Sequence, residues 1–119
     1  PYTMIYGEGW NMPAYLPAHT RANMENFWAT PGVAYFNDSF RNNIKGNIDF
    51  HSNGYSSGEF VPKEIIEDVI KGSCVHEVLF DEPYRSINYV ECHDNYTFYD
   101  QLIKIHPGLT DKEYARCGR

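Results

Sequence analysis

Twice in this chain a short apolar run ends abruptly in polar side chains, and the second instance limits the possible folds most. Ser86-Ile87-Asn88-Tyr89-Val90-Glu91-Cys92-His93-Asp94-Asn95-Tyr96-Thr97 begins as a strand, passes into His-Asp-Asn and leads into a capped helix. In α/β enzymes the carboxyl end of a strand, just before the following helix, is where binding and catalytic groups gather. Met4-Ile5-Tyr6-Gly7-Glu8-Gly9-Trp10 has the same form, with one acid between two glycines and an indole beside it. Two such ends in one chain imply a shared mouth.

The remaining sequence supplies the connections. Pro1 to Tyr6 reads as a buried strand, ending where Gly7 and Gly9 let the backbone turn about Glu8. From Asn11 to Gly32, Pro13, Pro17 and Pro31 stand among Tyr15, His19, Met24, Phe27 and Trp28, the pattern of a long ordered βα loop of the kind that lines sites. Val33 to Phe36 is a short strand, after which Asn37 or Asp38 caps a helix through Lys45, with Phe40 and Ile44 on one face and Gly46 as its stop. Asn47 to Phe60 is polar and irregular, anchored by Phe50 and Tyr55. Pro62 opens a helix with Ile65, Ile66, Val69 and Ile70 as its apolar stripe and Gly72 as its end. Val75 to Phe80 fits either a strand or an extended loop, and Pro83 marks a turn. Thr97 with Asp100 and Thr110 with Glu113 each have the form of a capping box, and Pro107-Gly108 separates the two helices they open. The expected architecture is α/β, with parallel strands over residues 2–6, 33–36 and 87–91 and with Glu8 and Asp94 at one edge.

Composition narrows the class. With 16 acids against 10 Lys and Arg, the formal net charge is -6 and the basic residues are scattered, which argues against a nucleic-acid groove. Cys74, Cys92 and Cys117 are odd in number and lack close pairing, a pattern of neither a zinc site nor a disulfide scaffold, so no metal or cofactor is expected. No run is long enough to span a membrane, and no membrane partner is expected. No signal peptide is visible, but the chain starts on a strand-like run, so cytoplasmic and secreted locations both stay open. A chain of 119 residues can bury one modest core, whereas a (β/α)8 barrel takes roughly 250 residues. The sequence is a small α/β domain or a piece of a barrel.

Among groups able to do chemistry, Glu8 stands first. A carboxyl flanked by glycines, with Trp10 near, can be held partly out of water, and that setting favours the protonated form a general acid needs. An ordinary turn glutamate is the plain alternative. His93-Asp94 is the second pair. Such a dipeptide also occurs in metal phosphohydrolases, but a metal centre needs further His and Asp ligands, and His51 and His76 sit in weaker contexts.

Tyr6-Gly7-Glu8-Gly9-Trp10, then Tyr35-Phe36-Asn37-Asp38 with Phe40-Arg41 and Ile44-Lys45-Gly46, then Ile87 to Asn95 with Thr97 and Asp100, together resemble the pullulanase branch of the α-amylase family, whose members hydrolyse α-1,6 branch points. The match follows the same order over most of the chain, and its specific part is the Gly-Glu-Gly-Trp block taken with His-Asp-Asn. The resemblance implies part of a (β/α)8 TIM barrel, from about the fifth strand to the helix after the seventh. Residues 1–119 would be an incomplete C-terminal portion of a catalytic barrel domain, and its partners an α-glucan polysaccharide or oligosaccharide and the remainder of that domain. By the same resemblance Glu8 protonates the glycosidic oxygen and then activates water, while Asp94 binds sugar hydroxyls and favours an oxocarbenium-like transition state. His93 binds a neighbouring hydroxyl. The family's nucleophile lies on a strand that this sequence lacks, so retaining double displacement is implied only for the parent enzyme.

The other candidates carry alternatives. Trp10 and Tyr15 suit stacking on sugar rings, as does an aromatic content of 16%, though each is equally suited to loop core. Asn37 and Asp38 can reach the mouth, and Arg41 suits a charge network at the barrel rim. Asn95 either meets substrate or holds its loop through backbone groups. Tyr96, Phe98 and Tyr99 stand where many relatives carry His and a Leu-Trp pair, which leaves the linkage preference open between α-1,6 debranching, isoamylase-like debranching and α-1,4 cleavage. A carbohydrate-binding remnant without turnover is the alternative from another class.

Overall fold

The computed structural model describes residues 3–47 and 52–117. Its strands are β1 (Ile5–Gly7), β2 (Val33–Asn37) and β3 (Ser86–Asn88), and its α-helices are α1 (Asp38–Ile44), α2 (Lys63–Ile70), α3 (Phe98–Ile105) and α4 (Asp111–Cys117). Short 3-10 segments occur at Ala18–Thr20, Met24–Ala29, Tyr55–Ser57 and Pro83–Arg85. The expected start of the first strand at Tyr2, the Phe50 anchor and His51 lie outside the described residues.

The three strands form one parallel sheet in the order β1-β2-β3, pairing Ile5 with Val33 and Tyr35 with Ser86. Parallel neighbours require crossovers. The first crossover is the proline-rich loop with its 3-10 turns, and the second carries α1 and α2. All strand ends therefore open on one edge, with Glu8 just past β1 and Asp94 beyond β3.

Local signals account for most helix starts. Asn37 Oδ1 accepts the Phe40 N–H at 3.0 Å, so α1 starts directly on the last residue of β2. Thr97 Oγ1 accepts the Asp100 N–H at 3.1 Å to open α3, and Glu113 Oε2 takes the Thr110 N–H at 2.8 Å to open α4. Pro62 precedes α2. In that helix Val69 is fully buried, but Ile70 remains 58% exposed, so the inward stripe is narrower than the sequence suggests.

The outer strands differ from expectation, and the alternative left open at Val75 to Phe80 resolves against a strand. β1 starts at Ile5 and, as an edge with no neighbour beyond it among the described residues, is exposed rather than buried. The third strand ends at Asn88 rather than 91, because the next residues are drawn elsewhere: Tyr89 to the side chains of α1, and Glu91 to the Phe98 N–H at the start of α3. Val75 to Phe80 forms no strand. Asp68 gathers the N–H groups of Val75 at 2.8 Å, His76 at 3.0 Å and Glu77 at 3.3 Å, while Ser73 and Val78 take left-handed φ of 54° and 41°. Those interactions curl the segment around one carboxylate.

Ala34, Tyr35, Val69, Phe80, Leu102 and Tyr114 are the buried hydrophobic side chains among the described residues. Arg85, only 2% exposed, staples the long loop to the sheet. Its Nε donates to Val33 O at 3.1 Å and its Nη2 to Thr30 O at 3.0 Å, while Nη1 pairs with Asp81. Among the described residues no buried side-chain N or O lacks a partner.

Candidate active site

Beyond the strand ends lies a cleft of about 220 Å³ lined by Glu8, Trp10, Phe36, Asp38, Arg41, Tyr89, Cys92, Asp94 and Asn95. Glu8 reaches it because the chain doubles back at Gly9. Gly9 has φ of 80°, and a Cβ there would sit 2.8 Å from the Tyr35 ring, so only glycine passes this point without displacing the core. Gly7, in contrast, lies within β1 with open space around it, so the turn depends on Gly9 rather than on both glycines.

His93 Nε2 stands 3.0 Å from Asp94 Oδ1 and 3.8 Å from Glu8 Oε1. The imidazole thus bridges acids from opposite strands of the sheet. Side-chain exposure is 72% for His93 and 62% for Asp94 but 39% for Glu8, which makes Glu8 the most enclosed of the three. Their ligand-bearing atoms all lie within 4.8 Å of one another, a spacing and donor set that can hold a divalent cation.

The floor of the cleft is apolar with a polar lock beneath it. The rings of Phe36 and Tyr89 meet at 4.7 Å between centroids. The Tyr89 hydroxyl donates to Asp38 Oδ1 and accepts from Arg41 Nη1, and Arg41 pairs with Asp38 at 2.8 Å. Arg41 is buried, and its remaining donors reach Asn42 Oδ1 at 3.0 and 3.1 Å. Burial and the hydrogen bond to Asp38 push the Tyr89 phenol far above its usual range, so it stays neutral and holds its donor role.

Asn95 is held by groups other than the expected backbone. Its Oδ1 accepts from Lys45 Nζ at 3.1 Å, and its Nδ2 donates to Cys92 Sγ at 3.0 Å. Lys45 is fully buried, and its Nζ also donates to the Tyr96 carbonyl. Burial lowers its pKa, with the neighbouring Glu91 acting in the opposite sense.

Asn37 does not reach the mouth. Successive strand residues face opposite ways, so Phe36 and Asp38 turn to the cleft and Asn37 turns into the scaffold, where it is fully buried. Its Nδ2 donates to Ser86 Oγ at 2.9 Å, Ser73 Oγ at 3.0 Å and Asn88 Oδ1 at 3.1 Å. Tyr15 is likewise absent from the cleft lining and fully exposed, on a loop that Arg21 clamps through Leu16 O at 2.9 Å and Ala14 O at 3.0 Å. Trp10 does line the cleft, half-buried. Sequence reasoning assigned no role to Tyr89, Phe36, Cys92 or Lys45. For Lys45 no local signal exists, since a lysine after a helix is ordinarily a solvated residue favoured by the dipole.

With Glu8 and Asp94 lining one cleft over an aromatic floor and His93 between the two carboxylates, the relatives bear directly on the site. The pullulanase of Bacillus subtilis (strain 168) is 38% identical in an alignment of 116 positions that covers 93% of this chain. Pullulanases are its homologues. Among solved structures, pullulanase type I of the same strain complexed with maltose superposes with a TM-score of 0.85 at 34% identity, over 96% of this chain. A pullulanase from Anoxybacillus sp. LM18-11 complexed with maltotetraose gives 0.83 at 37% identity, again over 96%. That of Paenibacillus barengoltzii in complex with maltohexaose and alpha-cyclodextrin gives 0.80 at 37%. The chain spans only 16%, 17%, 16% and 18% of these four proteins, respectively. No protein-family profile matches it.

Proposed function

We propose that this chain is part of the catalytic domain of a pullulanase-like glycoside hydrolase that cleaves α-1,6 branch linkages in pullulan, glycogen or branched dextrins. The observation that carries the reading is the convergence of Glu8 with His93 and Asp94 at one cleft, in a chain similar to pullulanases whose solved structures include complexes with maltooligosaccharides. In this reading residues 1–119 run from about the fifth strand of a (β/α)8 barrel to the helix after the seventh.

Glu8, the most enclosed of the three groups, is the acid/base. It protonates the glycosidic oxygen as the bond breaks and then takes a proton from the attacking water. Asp94 accepts hydrogen bonds from sugar hydroxyls, and its charge stabilises the oxocarbenium-like ring. His93 donates to a neighbouring hydroxyl, its ring oriented by the 3.0 Å contact to Asp94. Trp10, Asp38 and Asn95 line the cleft as binding residues, and Tyr15 offers an exposed ring farther out. The nucleophile comes from a strand outside these residues, about 5 to 5.5 Å from the acid/base as retention requires.

The test is Glu8→Gln in the intact protein. The amide keeps the shape and removes the proton, so kcat on pullulan falls at least about 100-fold while maltooligosaccharide still binds. Near-normal turnover in that variant would remove Glu8 from the role. Assay of the wild type on pullulan against amylose separates debranching from α-1,4 cleavage. Binding without release of reducing ends marks a carbohydrate-binding module.

A further inference from the structure

The buried lysine that caps the end of α1 has no place in the chemistry above, and burying an ammonium is unfavourable unless its donors are satisfied. Lys45 follows the last residue of α1 and is fully buried. Both contacts of its ammonium fall on one short segment: Asn95 Oδ1 at 3.1 Å and the Tyr96 carbonyl. That segment is the turn closed by the Asn95 N–H to Cys92 O contact at 3.4 Å, and His93 and Asp94 are its two central residues. Both project into solvent with exposed side chains, so their direction depends on the backbone beneath them. Cys92 holds the amide of Asn95, and Lys45 holds its carbonyl.

We infer that Lys45 is a positioning residue, tying the end of α1 to the Cys92–Tyr96 turn and so fixing where Asp94, in the cleft lining, and His93, beside it, are held. It touches none of the reacting groups; of the cleft lining it meets Asn95, and it acts through Asn95 and the Tyr96 carbonyl. The inference rests on the functional reading for its kinetic consequence and on hydrogen bonding alone for its structural one. A misplacement of about 1 Å in a catalytic group can cost on the order of 100-fold in rate, so a loose turn has a large kinetic effect even where substrate binding persists.

The experiment is made in the intact protein with Lys45→Met, which keeps the stem and removes the donors, with Asn95→Ala, and with the double variant. The Lys45→Met protein is expected to lose about tenfold or more in kcat on pullulan with KM changed less than about threefold. Hydrogen exchange should quicken at the amides of residues 92–97 but not in α1 or β2. Because the Lys45–Asn95 contact is lost in either single variant, the two losses should combine to less than their product in the double variant. Unchanged exchange at residues 92–97, or losses that multiply in the double variant, would overturn the inference. If Lys45→Met does not fold, Asn95→Ala decides: normal exchange across the turn overturns it. Should the wild type fail to cleave pullulan, the enzymatic reading falls, while the exchange measurement still decides whether Lys45 fixes the turn.

Discussion

Asp68 shows how one buried carboxylate can replace an element of secondary structure. Burial alone would raise its pKa, but the three N–H groups of Val75, His76 and Glu77 favour the charged form and hold it below the usual carboxylate range. A depressed carboxylate contributes stability that is present above its unfolded value, about 3.9, and is lost as pH falls through the lower folded value. The 73–80 segment should therefore keep its amide protection down to about pH 4 and lose it below that, as hydrogen exchange at Val75, His76 and Glu77 will report. Asp68→Asn should abolish that acid transition and destabilise the segment at neutral pH by about 1 to 3 kcal/mol, the range for a charge-assisted hydrogen bond or an unmet buried donor. At this scale the sequence is informative where residues act with their neighbours. Gly-Glu-Gly-Trp and His-Asp each announce themselves within a few positions. Lys45 and Tyr89 do not, because Asn95 and Asp38 lie 50 and 51 residues away from them. Asn37 was legible as a cap but not as a scaffold residue, since four or five strand residues give too short a period to fix which side faces the cleft.

The elements lean on each other through backbone as much as through side chains. Gly54 packs directly against the end of α1: a Cβ there would lie 2.5 Å from Gly46 N and 2.6 Å from the Ile44 carbonyl oxygen. Neither atom can swing aside as a flexible side chain would. Gly54→Ala should therefore cost about 1 to 3 kcal/mol, the range for overpacking, and lower the thermal midpoint of the intact protein. Since Lys45 follows Ile44, the same change should also quicken exchange in the Cys92–Tyr96 turn, whereas Gly7→Ala, at a glycine with open space around it and no left-handed φ, should leave that turn unaffected. Helix starts were readable because Asn37, Thr97 and Thr110 act within three residues of themselves. The end of β3 was not, because Tyr89-Val90 has strand composition and is redirected by partners on α1 that no local pattern reveals.

At the scale of the whole molecule, the sheet is open on both sides. Among the described residues β1 and β3 each pair only with β2, and Met4, Ile5 and Tyr6 stay 63%, 58% and 59% exposed. The radius of gyration is 16.1 Å, against about 13.5 Å for a compact domain of this length. Unpaired edges and a small core favour association or a molten state. Expressed alone, the 119-residue chain should be inactive and lack a cooperative unfolding transition by near-UV circular dichroism. A sharp transition with strong protection in β1, β2 and β3 would instead mark an autonomous domain. The junction of β2 and α1 limits how such a protein can diversify. Phe36 and Asp38 serve the cleft while Asn37 between them serves the scaffold, with no spacer before the helix. Inserting or deleting a single codon here would exchange those duties in one step, so lineages sharing this junction can vary it by substitution but hardly by length. Length variation is left to the exposed tip of the long loop after Trp10, around Tyr15, since farther along Asn23 is buried and Arg85 holds the Thr30 carbonyl.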